Sequence, residues 1–152
     1  AHVANYAQQH VGVENPAYNR RQYGMASYLS GYSAVCNYAH HLGPYNDDRT
    51  GYRPMVFAYG IHGGVLDTLQ WEGFREGIDD IRYATLLMRL ADDATRSPEV
   101  GVQQEGRLAM QYFAGLPRES ANLDTCRLEM IDRILHLRKL LGHARADEGE
   151  TP

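Results

Sequence analysis

Two cysteines in 152 residues, Cys36 and Cys126, are too few to staple a fold, and neither stands in a Cys-X-X-Cys pair or beside a second ligand. Both are expected to be small buried hydrophobic side chains, which leaves the redox compartment open. No apolar run approaches the roughly 20 residues that cross a bilayer. The opening AHVANYAQQH has neither the basic start nor the apolar stretch of a secretory signal. Basic residues are scattered and the formal net charge is −4. No dense cationic stripe is therefore available to neutralise phosphates or an acidic lipid surface, and neither nucleic acid nor membrane is expected as a partner. Internal repeats and low-complexity linkers are also missing.

What is present is enough apolar residue, 43% of the chain, for one ordinary core. Chemistry divides the chain near residue 70. The first part has four acids (Glu14, Asp47, Asp48, Asp67) and four bases (Arg20, Arg21, Arg49, Arg53), with nine of the eleven tyrosines and five of the seven histidines. Flat rings mixed with Asn and Gln suit contact with polar ligands that carry apolar faces. The second part has the composition of solvated amphipathic helix.

Local patterns give the element order. A short β-capable stretch, His2 to Tyr6, is followed by a polar loop. Asn15 then caps a helix whose first position is Pro16 and which runs from about Ala17 to Leu29. Gly31 ends it, and Ala34 to Ala39 forms a second buried strand. The loop HHLGPYNDDRTGYRP precedes a third β-rich stretch, Met55 to Tyr59. Asp67 or Thr68 opens a long helix to about Ala94, with Phe74, Ile78, Ile81, Thr85 and Met88 as its expected buried stripe. Two more helices, near Glu99 to Leu116 and Ser120 to Leu141, make a hairpin ahead of the acidic tail ARADEGETP. The expected organisation is thus terminal βα units over 1–95, a helical hairpin over 96–142 and a disordered tail over 143–152.

Strands alternating with helices imply βαβ units and a parallel sheet. Two or three parallel strands leave backbone donors and acceptors unpaired along both edges, which natural proteins cover or close. The segment is therefore expected to complete a larger sheet.

The run LDTLQWEGFREGIDDIRY, Leu66 to Tyr83, after Val56-Phe57-Ala58-Tyr59 and a Gly-rich turn, resembles the carboxy-terminal signature of glycoside hydrolase family 123-like proteins, including the group called domain of unknown function 4091. Their last barrel helix carries the pattern R-W-E-x-x-R-E-G-x-x-D-x-x-Y. This chain departs from it in having Gln70 where Arg is common. The likeness is specific over residues 14 to 90 and weak beyond. It implies an α/β, helix-dominated fold: the last two or three strands of a (β/α)8 TIM-type barrel, followed by an α-helical hairpin. It also implies cleavage of N-acetylhexosaminides by an adjacent Asp-Glu pair on a middle strand, which would precede residue 1, and a secreted or periplasmic parent. The adjacent acids Asp47-Asp48 and Asp79-Asp80 do not occupy that place.

Barrel ligands bind at the carboxy-terminal ends of the strands and in the loops that follow. Candidate sugar contacts are therefore Tyr6, Gln9, His10, Glu14 and Asn15 after the first strand. After the second they are Tyr38, His40, His41, Tyr45, Asn46 and Asp47. Each competes with the plainer reading of a wet polar loop, and Glu14 beside Asn-Pro with that of a helix-end residue. His40-His41 with Asp47, Asp48 and His62 match no ordered ligand spacing, so neither metal nor cofactor is expected. The acid-base series Glu72, Arg75, Glu76, Asp79 and Arg82 is read as an architectural ion network. The leading functional expectation is a carbohydrate-binding wall of a glycoside hydrolase-like barrel, its partner the remainder of that barrel. The alternatives are a non-catalytic module binding sugar or protein, or one that pairs with a second copy of itself through open sheet edges.

Overall fold

The computed structural model describes residues 2–6, 15–36, 40, 56–119 and 121–148. The elements are β1 (Ala4–Tyr6), α1 (Pro16–Tyr23), α2 (Met25–Leu29), β2 (Ala34–Cys36), β3 (Ala58–Ile61), β4 (Gly64–Asp67), α3 (Leu69–Thr95), α4 (Val100–Ala114) and α5 (Leu123–Glu148). The chain is helix-dominated, with two small sheets. It divides into two compact units, residues 1–81 and 82–152, with the boundary inside α3.

In the first unit β1 and β2 pair in parallel, Ala4 opposite Ala34 and Tyr6 opposite Cys36, across a connection that carries α1 and α2. Asn15 caps α1 as expected: its side-chain oxygen accepts from the Tyr18 amide at 3.0 Å, and Pro16 takes the first turn. The single expected helix over 17–29 is broken at Gly24. A Cβ there would lie 2.3 Å from the Arg20 carbonyl oxygen and 2.8 Å from the Gly77 Cα, so only glycine permits the close approach. One face of β1 is tied to the helices, because the Asn5 amide donates to the Ser27 hydroxyl (2.9 Å), which donates to the Gln22 carbonyl (2.6 Å).

The third expected strand, Met55 to Tyr59, takes a different form. β3 and β4 make an antiparallel hairpin, Ala58 opposite Asp67 and Ile61 opposite Gly64. Its two-residue turn, His62-Gly63, puts Gly63 at φ 84°, a conformation that turns of this length demand. The helix cap is Thr68 rather than Asp67. Its hydroxyl accepts from the Trp71 amide (3.2 Å) and donates to the Phe57 carbonyl (3.0 Å), so the same buried side chain starts α3 and fastens it to the strand lead-in.

The buried stripe of α3 is Gln70, Gly73, Gly77, Asp80, Ala84, Leu87, Ala91 and Ala94, spaced alternately three and four apart. Phe74, Ile78, Ile81, Thr85 and Met88, expected to fill that role, are only half-buried. Small residues win because backbone meets backbone: a Cβ on Gly73 would lie 2.2 Å from the Pro16 carbonyl oxygen, and one on Gly77 2.6 Å from that of Arg20. The first pair of the expected ion series forms on the same helix. Glu72 and Arg75 pair at 2.9 Å but are 49% and 60% exposed, a geometry worth a few tenths of a kcal/mol. The buried clamp is one residue on from Asp79. Asp80, 1% exposed, accepts from Arg20 Nε at 2.7 Å and from its Nη2 at 3.2 Å.

In the second unit Val102, Gly106, Ala109 and Phe113 of α4 face Leu123, Cys126, Met130, Ile134 and Leu137 of α5 as the buried positions. Gly106 repeats the device of the first unit, a Cβ there meeting the Ala91 carbonyl oxygen at 2.7 Å. Leu128 and Leu135 of α5 are exposed. α5 continues to Glu148, through residues expected to begin the tail. Among the described residues no helix is long and apolar enough to cross a membrane.

Candidate functional site

The parallel pairing brings the carboxy-terminal ends of β1 and β2 together, with Tyr6 directly opposite Cys36. Both are exposed; the expectation that Cys36 is buried fails because its strand turns that residue away from the helices, while Cys126 is buried in α5. Tyr6 is 59% exposed. Tyr23 marks its surroundings. Burial raises the Tyr23 phenol well above the usual tyrosine value, and the nearby phenols of Tyr18 and then Tyr6 raise it further, since adjacent phenolates would repel.

From Tyr23 a chain of rings leads on. Tyr23 meets Phe57 edge-on at 5.9 Å and Phe74 at 5.6 Å. Phe57 lies 5.8 Å from Trp71, and Trp71 stacks on Phe74 at 5.6 Å with 9° between planes. His40 closes the row, its imidazole nearly perpendicular to Trp71 at 5.7 Å. His40 is held by its backbone, whose carbonyl accepts from the amides of Phe57 (3.2 Å) and Ala58 (2.8 Å). His40 is thereby held against the start of β3 and the first turn of α3.

Of the expected sugar contacts, His40 stands on this row of rings, and Tyr6 lies exposed at the end of β1. Asn15 lies in the same unit as an exposed cap, its side-chain oxygen committed to the Tyr18 amide. His10, Glu14, Tyr38, His41, Asn46 and Asp47 fall outside the described residues, as do Gln9, Tyr45 and Asp48. Sequence reasoning passed over Tyr18, Tyr23 and Trp71. The signal for Trp71 was its place in the first turn of the helix after a strand, the end at which barrels bind ligands. The residues named here offer flat apolar rings, phenols and an imidazole, an arrangement that can bind a polar ligand. Among the described residues no three His, Cys, Asp or Glu side chains gather as metal ligands.

Two other features are available. A groove of about 500 Å³ lies in the first unit, lined chiefly by Tyr28, Tyr32, Val35, Phe74, Ile78 and Ile81, so the large apolar stripe of α3 faces it. In the second unit a hollow of about 320 Å³ is bordered by Glu105, Arg133 and His136 over Leu108 and Leu137, His136 Nε2 lying 3.4 Å from Glu105. Comparison with protein-family models, with curated proteins and with solved structures finds no match to this chain.

Proposed function

We propose that this chain is the carboxy-terminal part of a sugar-processing (β/α)8-type barrel and supplies one wall of its carbohydrate site, while the acid pair that cleaves the glycosidic bond belongs to the remainder of the barrel. The observation that carries the reading is the state of the β1–β2 sheet. Asn5 and Val35 are half-buried, whereas Ala4, Tyr6, Ala34 and Cys36, on the opposite face, are exposed. A parallel pair is ordinarily covered on both faces and flanked on both edges. Further strands beside this pair would turn the exposed face into a barrel interior and leave Tyr6 and His40 at its mouth. The signature helix residues Trp71 to Tyr83 add the expectation of an N-acetylhexosaminide as ligand.

Calorimetric titration with N-acetylgalactosamine, N-acetylglucosamine and N,N′-diacetylchitobiose tests the sugar assignment. Binding that weakens on Tyr6→Ala is the expected result, and no heat with any of the three would sink it. The exposed Ile61, Val65 and Leu66 of the hairpin favour a second reading, a module that pairs with its own copy through apolar strands. Sedimentation separates the two: a stable dimer that survives dilution favours self-pairing, a monomer the barrel segment.

A further inference from the structure

We infer that Trp71 is a sugar-stacking residue, its indole forming the floor on which the apolar C–H face of a neutral saccharide ring lies, with His40 at its edge to meet a hydroxyl. The inference rests on the carbohydrate reading above and deepens it by naming the platform.

Trp71 is built into place before any ligand arrives. Its amide is capped by the Thr68 hydroxyl, which is anchored in turn to the Phe57 carbonyl. Its ring is backed by Phe74, almost coplanar at 9°, and by Phe57, tilted 50°. Such backing removes rotamer freedom in advance, so less entropy is lost on binding. Yet the indole is only half-buried, and the His40 ring beside it is exposed. A residue serving the core alone would gain from full cover. Here the largest apolar ring of the chain keeps an open part beside a polar one.

The chemistry of the occupant follows from what surrounds the pair. An indole face attracts C–H bonds and cations, and imidazole donates to or accepts from a hydroxyl. A polyanion gains little here, since the neighbouring signature cation, Arg75, is engaged by Glu72. A neutral ring with one C–H face and a hydroxyl rim satisfies both partners.

The test is direct because Trp71 is the sole tryptophan of the chain, so intrinsic emission reports on it alone. Titration with N,N′-diacetylchitobiose or N-acetylgalactosamine should shift that emission to the blue and protect it from acrylamide, with the same midpoint as the heat measured by calorimetry. Trp71→Ala should weaken binding at least about tenfold, as loss of an aromatic anchor does. Because that change also opens the ring cluster, Trp71→Phe, which keeps a ring against Phe74, should retain the melting temperature and lose affinity to a smaller degree. Calorimetric binding with unaltered emission and quenching overturns the inference and leaves the carbohydrate reading standing. Absence of heat with every saccharide removes the reading and the inference together, and an emission change produced by a nucleotide but by no sugar overturns the inference as well.

Discussion

Replacing Gly73 by alanine should unfold the first unit more easily, although alanine is the better helix former. The intrinsic preference favours alanine inside a helix by about 1 kcal/mol. Against that, the new Cβ would stand 2.2 Å from the Pro16 carbonyl oxygen, 2.7 Å from its Cα and 2.8 Å from its carbonyl carbon. Ordinary contact begins at 3.4 Å, so 3.4 − 2.2 leaves 1.2 Å to be found by moving backbone, since no side chain stands there to rotate away. Moving α1 by that amount disturbs the Asn15 cap, the 2.7 Å contact between Arg20 and Asp80, and the rings around Tyr23. Overpacking of a tight core costs about 1–3 kcal/mol, and a clash of backbone on backbone belongs at the upper end or beyond. The net expectation is a loss of about 2 kcal/mol, which in a chain of this size lowers the melting temperature by roughly 4–8 °C. Gly101→Ala is the control. Nothing lies within 4 Å of a Cβ at that position in α4, so the same chemical change should stabilise by a few tenths to about 1 kcal/mol. Urea unfolding of both variants measures the two effects. Should Gly73→Ala stabilise as Gly101→Ala does, the close approach of α1 to α3 is wrong.

Three further outcomes follow from other contacts. Asp80→Ala should cost about 3–5 kcal/mol in urea unfolding, because it removes one partner of a buried ion pair, whereas Glu72→Ala should cost no more than about 0.5. Gln70 is 1% exposed and its Nε2 has no hydrogen-bond partner, so Gln70→Leu should raise stability by about 1 kcal/mol; a loss of similar size would mean that the amide is satisfied. Burial raises the phenols of Tyr23 and Tyr112. Their neutral forms therefore stabilise the fold fully below about pH 10, and that contribution is lost as pH climbs above 10 towards the folded values. In an alkaline titration followed by phenolate absorbance, with Tyr23→Phe and Tyr112→Phe as references, these two phenols should ionise only as the chain unfolds.

Local signals were legible where one residue decides the outcome alone. Asn15 and Pro16 start α1, Gly31 with φ 79° ends α2, and α3 and α4 stand within a few residues of their periodicity, while α5 begins near its expected start and runs on to Glu148. What could not be read depends on a partner distant in sequence. The apolar period of α3 points to Phe74, Ile78 and Ile81, but the buried side is chosen by how near α1 can come, and only Gly73 and Gly77 allow it. Asp79 and Asp80 are alike as text; Arg20, sixty residues away, selects the second. His62-Gly63 was visible as a turn, yet whether the chain continues as a parallel strand or folds back depends on what stands beside β3.

The same logic bears on the candidate site. Its described members come from three places in the sequence: Tyr6 at the end of β1, His40 after β2 and Trp71 after β4. His40 and Trp71 are fixed by backbone bonds rather than by their own side chains. A rim assembled this way can change its side chains without disturbing the bonds that place them, which is the property that lets one scaffold present different ligand contacts. The contrast with Arg20 and Asp80 is physical: there the side chains themselves are the fastening, one 15% and the other 1% exposed, and exchanging either alone breaks a buried ion pair. Exposure and mode of attachment therefore separate the residues that hold this unit together from those available to a ligand, and they put Trp71 and His40 in the second group.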